Sequence, residues 1–150
     1  MGWTPPGSTV MMVVFKAPHP LNEPGLSRTE RRLLRLAEAG RMTLSTAFSR
    51  MHEDESVYYV TDTSLVELME TLSRASPPLL AHSSESVSSH RWASDTVAIT
   101  AAGRAVLGGG QDRVSLCGVP DRWLGGVHLT NNATLWRWDD ARQRISMSRT

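Results

Sequence analysis

A single cysteine, Cys117, stands in 150 residues, so no disulfide can close within the chain and no cysteine-pair zinc spacing can be written. With no acid, base or ligand pattern beside it, the thiol reads as a small apolar filler, and a reducing, cytoplasmic setting is the expectation. Long apolar runs are missing too. Residues 10–15 are the best candidate in the N-terminal region and fall far short of the ~20 residues that cross a bilayer. That region also lacks the basic start and small-residue cleavage site of a secretory signal, so no membrane partner is expected.

Catalytic and metal signatures are equally scarce. The five histidines, His19, His52, His82, His90 and His128, show neither H-x-x-x-H nor H-E-x-x-H spacing, so no metal ligand set is assigned. His52 precedes Glu53, Asp54 and Glu55, but consecutive acids do not reproduce the alternating ligands of a calcium loop, and a solvated loop is the simpler reading. There is no G-x-S-x-G elbow, and the serines around Ser83 lie in a loop that would hold no oxyanion geometry. Gly108-Gly109-Gly110 is not followed by Lys-Ser or Lys-Thr and reads as a helix stop. Asn132-Ala133-Thr134 matches a glycosylation acceptor without the secretory context that would give it meaning. No enzyme activity, cofactor or catalytic residue is expected.

What the chain does have is charge segregated along its length. Residues 27–50 hold six arginines, Arg28, Arg31, Arg32, Arg35, Arg41 and Arg50, against Glu30 and Glu38, a net +4. Residues 51–73 hold Glu53, Asp54, Glu55, Asp62, Glu67 and Glu70 with no Lys or Arg, a net −6. The overall formal charge of +1 conceals this.

Local signals place the elements. Ser27 and Glu30 have the S-x-x-E form of a capping box, and Leu33, Leu36 and Ala37 recur at helical spacing up to Gly40, which predicts a helix over 28–39. Thr43 can cap a second helix with an apolar face of Leu44, Ala47, Phe48 and Met51, fading in the acidic run 53–55. Residues 57–60 are β-prone. Thr61, Asp62 and Thr63 offer capping oxygens to a third helix, about 63–75, whose stripe is Leu65, Leu68, Met69 and Leu72. Glu70 and Arg74 sit four apart on its polar side, and Pro77 and Pro78 forbid continuation. Residues 79–82 and 97–100 read as paired strands around a serine-rich connection, 83–94, with Trp92 near its end. Thr100 can cap a last turn over 101–107. From Trp123 onward, Val127, Leu129, the turn-prone Asn131-Asn132, residues 135–138 and residues 145–147 read as a β-hairpin or small meander.

Three helices, two strands around a polar loop and a final helical turn predict a winged helix, so the expected class is α+β: a winged-helix-like three-helix body with a two-stranded wing, followed by the C-terminal β-hairpin or meander. The expected division is a Pro-rich arm or linker at 1–25, the winged-helix-like domain at 26–110 and a β appendage at 111–150 on the same core.

With these elements in place, a resemblance can be read from Gly25-Leu26-Ser27-Arg28-Thr29-Glu30-Arg31, Asp62, Pro78-Leu79-Leu80, Ile99-Thr100-Ala101-Ala102-Gly103-Arg104-Ala105-Val106-Leu107, Trp123-Leu124-Gly125-Gly126-Val127 and Trp136-Arg137-Trp138-Asp139. The chain resembles, over about residues 24–140, the C-terminal domain of a family of uncharacterised bacterial proteins; where that family has glycine before the acidic residue, this chain has Thr61. The resemblance implies a domain that works beside a larger N-terminal domain of unknown function, and it supplies no catalytic or binding residues.

Two surfaces and one aromatic pair are the candidate sites. Arg28, Arg31, Arg32 and Arg35 are spaced to form a positive edge on the first helix; a solvated arginine face paired with Glu30, Glu38 or the acidic loop is the plainer alternative. Asp62, Glu67, Glu70 and Arg74 line the third helix, the one that would enter a DNA groove in a winged helix, and carboxylates there oppose phosphate binding. Trp136 and Trp138 lie two apart, sharing one strand face with Arg137 on the other; they either cover core beside Trp123 or form an exposed platform for a base or peptide. The expected partner is therefore another protein domain or a second copy of the chain, with nucleic acid as the disfavoured alternative.

Overall fold

The computed structural model describes residues 21–22, 25–53, 59–84, 92–119, 122–124, 127–129, 135–139 and 142–148. Among them the order is β1 (Leu21–Asn22), α1 (Arg28–Glu38), β2 (Met42–Thr43), α2 (Leu44–Glu53), α3 (Asp62–Ser73), β3 (Leu80–Ser83), a 3-10 turn (Trp92–Ser94), β4 (Thr96–Ile99), α4 (Ala101–Leu107), α5 (Arg113–Cys117), β5 (Arg122–Leu124), β6 (Val127–Leu129), β7 (Leu135–Asp139) and β8 (Arg144–Ser148). The class is mixed helix and sheet, compatible with α+β.

The helix starts follow from side-chain chemistry. Ser27 Oγ accepts from the Glu30 amide at 3.2 Å, while the Glu30 carboxylate accepts from the Ser27 amide at 2.6 Å, so two donors orphaned at the start of α1 are satisfied reciprocally. Thr43 Oγ1 accepts from the Thr46 amide at 3.2 Å, Thr61 Oγ1 from Ser64 at 3.1 Å and Thr100 Oγ1 from Gly103 at 3.0 Å. Met42 and Thr43 are also a short strand, where sequence reading expected only a connection. They form the edge of an antiparallel sheet of order β2-β4-β3, with Met42 opposite Val97 and Leu80 opposite Ile99.

The strands β3 and β4 are displaced by one residue from the expected 79–82 and 97–100, and Thr100 is the reason. Its hydroxyl donates to the Pro78 carbonyl at 2.7 Å while capping α4, so the residue ends the strand and begins the helix at once. The β-prone expectation at 57–60 falls partly outside the described residues; Tyr59 and Val60 belong to no strand, Val60 being buried and Tyr59 79% exposed.

The core lies between the three helices and this sheet. Leu33, Leu34, Leu44, Leu65, Leu72 and Leu80 are all buried, each contributing on the order of 1.5–3 kcal/mol of apolar transfer. The stripe expected on α3 divides: Leu65, Met69 and Leu72 are buried and Leu68 is half-buried. A second three-stranded sheet, of order β1-β7-β8, joins Leu21–Asn22 in parallel to β7 and pairs β7 with β8 antiparallel, while β5 and β6 form an antiparallel pair. No helix among the described residues is long and apolar enough to cross a membrane.

Helix α4 approaches the loop before β3 closely at Gly103, where an added Cβ would stand 2.2 Å from the Leu79 carbonyl oxygen and 2.8 Å from Ile99 Cγ1. Backbone cannot yield as a flexible side chain would. Gly103→Ala is expected to cost at least ~1–3 kcal/mol, as overpacking does; an unchanged urea midpoint would show that this approach is not required.

Candidate docking faces and a buried charge network

Successive helical residues are ~100° apart, so Arg28, Arg31, Arg32 and Arg35 occupy about 100° of the circumference of α1. Arg28 and Arg35 are exposed, Arg31 and Arg32 half-buried. Arg32 Nη2 donates to the Arg50 carbonyl at 3.0 Å, in the last turn of α2, where the helix dipole favours a cation. The cationic edge anticipated from spacing is therefore present on one helix face, and it also ties α1 to α2.

Glu30 points inward from this edge, and the acidic loop expected as the edge's other partner lies mostly outside the described residues. The sequence reading offered Glu30 as a partner for the arginine face, but this residue is fully buried, and its Oε1 lies 3.3 Å from Arg113 Nη1, itself only 3% exposed. The reason is rotational: Glu30 falls on the same side of α1 as Leu33, Leu34 and Ala37, facing the interior. Arg113 begins α5, a five-residue helix that sequence reading missed. Its Nε and Nη1 are buried without a hydrogen-bond partner among the described residues, so its contact with Glu30 is an ion pair without hydrogen-bond geometry.

Next to Arg113, Asp112 caps α5 by accepting from the Ser115 amide at 3.0 Å. Both carboxylate oxygens of Asp112 also receive the guanidinium of Arg137, Oδ1 from Nη1 and Oδ2 from Nη2, the latter at 3.0 Å. Arg137 is 8% exposed, and Asp139, two residues along β7, is 3% exposed and accepts from the Arg142 amide and guanidinium at 2.9 Å. Gly25 completes the junction. It has φ +72°, and a Cβ there would meet Asp112 Oδ1 and Val114 Cγ2 at 3.0 Å. Burial pushes the Asp112 carboxyl up, but the hydrogen bonds and charge of Arg137 and the bonds from Ser115 outweigh it, leaving the pKa below its ordinary value. The Cys117 thiol, half-buried and 3.5 Å from the Pro77 carbonyl, is shifted up by burial, with Arg113 opposing.

The acidic helix face is only partly compensated. Glu70 Oε2 and Arg74 Nη1 are 3.0 Å apart, as their order predicted. Asp62 Oδ1 accepts from the Thr63 amide at 2.8 Å. Glu67 is exposed, and no ion pair among the described residues engages it. The candidate platform lies on β7, with Trp136 opposite Met147 and Trp138 opposite Ile145; the placement of its rings falls outside the described residues.

Elsewhere, His82 Nε2 and Ser84 Oγ both contact the Asp95 carboxylate, at 3.1 and 2.9 Å, where the connection between β3 and β4 leaves and returns. Phe48 stacks edge-on with Trp92 and against His52, which meets Tyr59. No group of three His, Cys, Asp or Glu residues that could hold a metal occurs among the described residues. No protein-family model, curated protein or solved structure matches the chain.

Removing one member of the buried pair strands the other. Arg113→Met is expected to cost about 3–5 kcal/mol in chemical denaturation, and the double variant Glu30→Gln/Arg113→Met less than Arg113→Met alone, because no carboxylate is then left without its cation. A cost for Arg113→Met no larger than for the exposed Arg35→Met would contradict the pair's role. Because folding depresses the Asp112 pKa, its contribution is complete above the unfolded value near ~3.9 and is lost as pH falls through the folded one. The acid-unfolding profile of Asp112→Asn should therefore lack that share of the wild-type loss below about pH 4; coincident slopes would contradict it.

Proposed function

We propose that the chain is a non-catalytic interaction module, a winged-helix-like body with a C-terminal β appendage, which docks onto a protein partner in a cytoplasmic setting. The scaffold reading is supported by the succession α1, β2, α2, α3, β3, β4 and by the sheet order β2-β4-β3. The antiparallel β7–β8 pair supports the appendage as a hairpin. The resemblance to the C-terminal domain of a family of uncharacterised bacterial proteins fits a module that works beside another domain.

One observation carries the preference for protein over nucleic acid. The outer arc of α3, where a groove reader would press against phosphate, presents exposed Glu67 beside a Glu70–Arg74 pair that cancels its own charge, and exposed Asp62 adds a carboxylate at the first residue of the helix. DNA affinity rests largely on releasing counterions from neutralised phosphates, and this surface adds anions instead. The arginine stripe of α1 favours the second reading, a DNA-binding domain of transcription-regulator type docked through α1 in an unusual pose.

Binding to random duplex DNA at several salt concentrations separates the two. The docking reading predicts no appreciable affinity at physiological salt. Micromolar or tighter binding that weakens steeply with salt and disappears in Arg28→Glu/Arg35→Glu would establish the second reading instead.

A further inference from the structure

Resting on the docking reading, we infer that the aromatic row formed by Trp92, Phe48, His52 and Tyr59 receives the partner, and that the partner presents a proline-rich segment ending in a basic residue. Ring centroids along the row are 6.0, 4.5 and 5.0 Å apart, with neighbouring planes tilted by 65°, 49° and 65°. Phe48 and Trp92 rest on the core while Tyr59 is 79% exposed, so the row is seated at one end and open at the other. His52 Nδ1 donates to the Phe48 carbonyl at 2.7 Å, which holds its ring in the row.

The row is too narrow for a helix and has the wrong charge beside it for a nucleic acid. At ~100° per residue, Phe48 and His52 occupy the strip of α2 between buried Leu44, Ala47 and Met51 and exposed Ser45 and Ser49. An amphipathic helix would bring an apolar stripe about 100° wide or more. Glu53, next to His52, is exposed, engages in no ion pair among the described residues, and is followed in the sequence by Asp54 and Glu55. Bases stacked on the rings would therefore bring phosphates to carboxylates. A polyproline II segment suits both features: it is slim and preformed, docks along aromatic rings, and leaves its carbonyls without internal partners. The Tyr59 hydroxyl and the Trp92 indole N–H, neither of which makes a hydrogen bond among the described residues, are donors for those carbonyls. A basic residue at the end of the segment meets Glu53.

Titration of the full chain with a synthetic oligoproline peptide ending in two arginines, followed by aromatic 1H–13C NMR, tests this. Saturable shifts centred on Phe48, His52 and Tyr59 are expected. Tyr59→Ala should raise Kd about fivefold. Glu53→Lys should raise it about tenfold for this peptide and lower it for one ending in two glutamates. Both substitutions lie at exposed positions, and thermal melting checks that each variant folds. If either does not, the wild-type chain decides through its ranking of the arginine-ended, glutamate-ended and alanine-for-proline peptides. No shifts at millimolar peptide, or equal affinity for the alanine peptide, overturns the proposal. Saturation of the same rings by single-stranded oligothymidine overturns it too. So do ring resonances that move, with no peptide present, when Pro5, Pro6, Pro18 and Pro20 are changed to Ala, since the chain's own N-terminal segment would then be the occupant. A chain that takes neither peptide nor duplex DNA loses this partner and keeps the docking reading; salt-sensitive duplex binding through Arg28 and Arg35 overturns that reading itself.

Discussion

A buried carboxylate governs this molecule. Glu30 accepts the Ser27 amide through Oε2 and faces Arg113 with Oε1, so one side chain caps the start of α1 and meets the first residue of α5. Moving both charges out of water is expensive, and the attraction between them offsets that cost only when the geometry holds. The adjoining Asp112–Arg137 pair extends the constraint to β7, which in turn pairs with Leu21–Asn22. The N-terminal strand, the helical body and the C-terminal sheet thus converge on a few ionised groups. Gly25 lets the chain pass close to Asp112 and Val114 there, in a conformation that a side chain would strain.

The same constraint shapes the surface. Had Glu30 pointed outward, it would have lain among the arginines of α1 and muted them. With Glu30 withdrawn, Arg28 and Arg35 stand at exposed positions of α1 with exposed Glu38 at the rim of the stripe, and Arg32 donates to the end of α2. On α3, the stripe of Leu65, Met69 and Leu72 turns the helix so that Glu67 and Glu70 face solvent. Interior packing therefore sets which charges are displayed, and the display is opposite in sign on two helices of one small body.

How much of this could be read beforehand follows from the range of each signal. Ser27, Thr43, Thr61 and Thr100 announce helix starts because capping acts over three residues, and all four cap in the structure. The apolar stripes of α1, α2 and α3 were legible for the same reason, as was the Glu70–Arg74 pair. What was missed is either short or distant. Met42–Thr43 and Leu21–Asn22 are two-residue strands with no period to detect, and their existence depends on β4 and β7 far along the chain. Helix α5 has five residues, below any periodic window, although Asp112 followed by Ser115 was a usable local hint. Arg137, read as the polar interval between two tryptophans, is buried because its partner is 25 residues away, and no local pattern encodes that.

Interior charge pairs that bridge the helical body and the C-terminal sheet should make the two a single cooperative unit. Native-state hydrogen exchange reads this directly, since each amide reports the free energy of the opening that exposes it. The slowest amides of β7 and those of α1 are expected to share one opening free energy and to respond equally to added denaturant. A β7–β8 pair that exchanges through its own, much cheaper opening while α1 stays protected would contradict it.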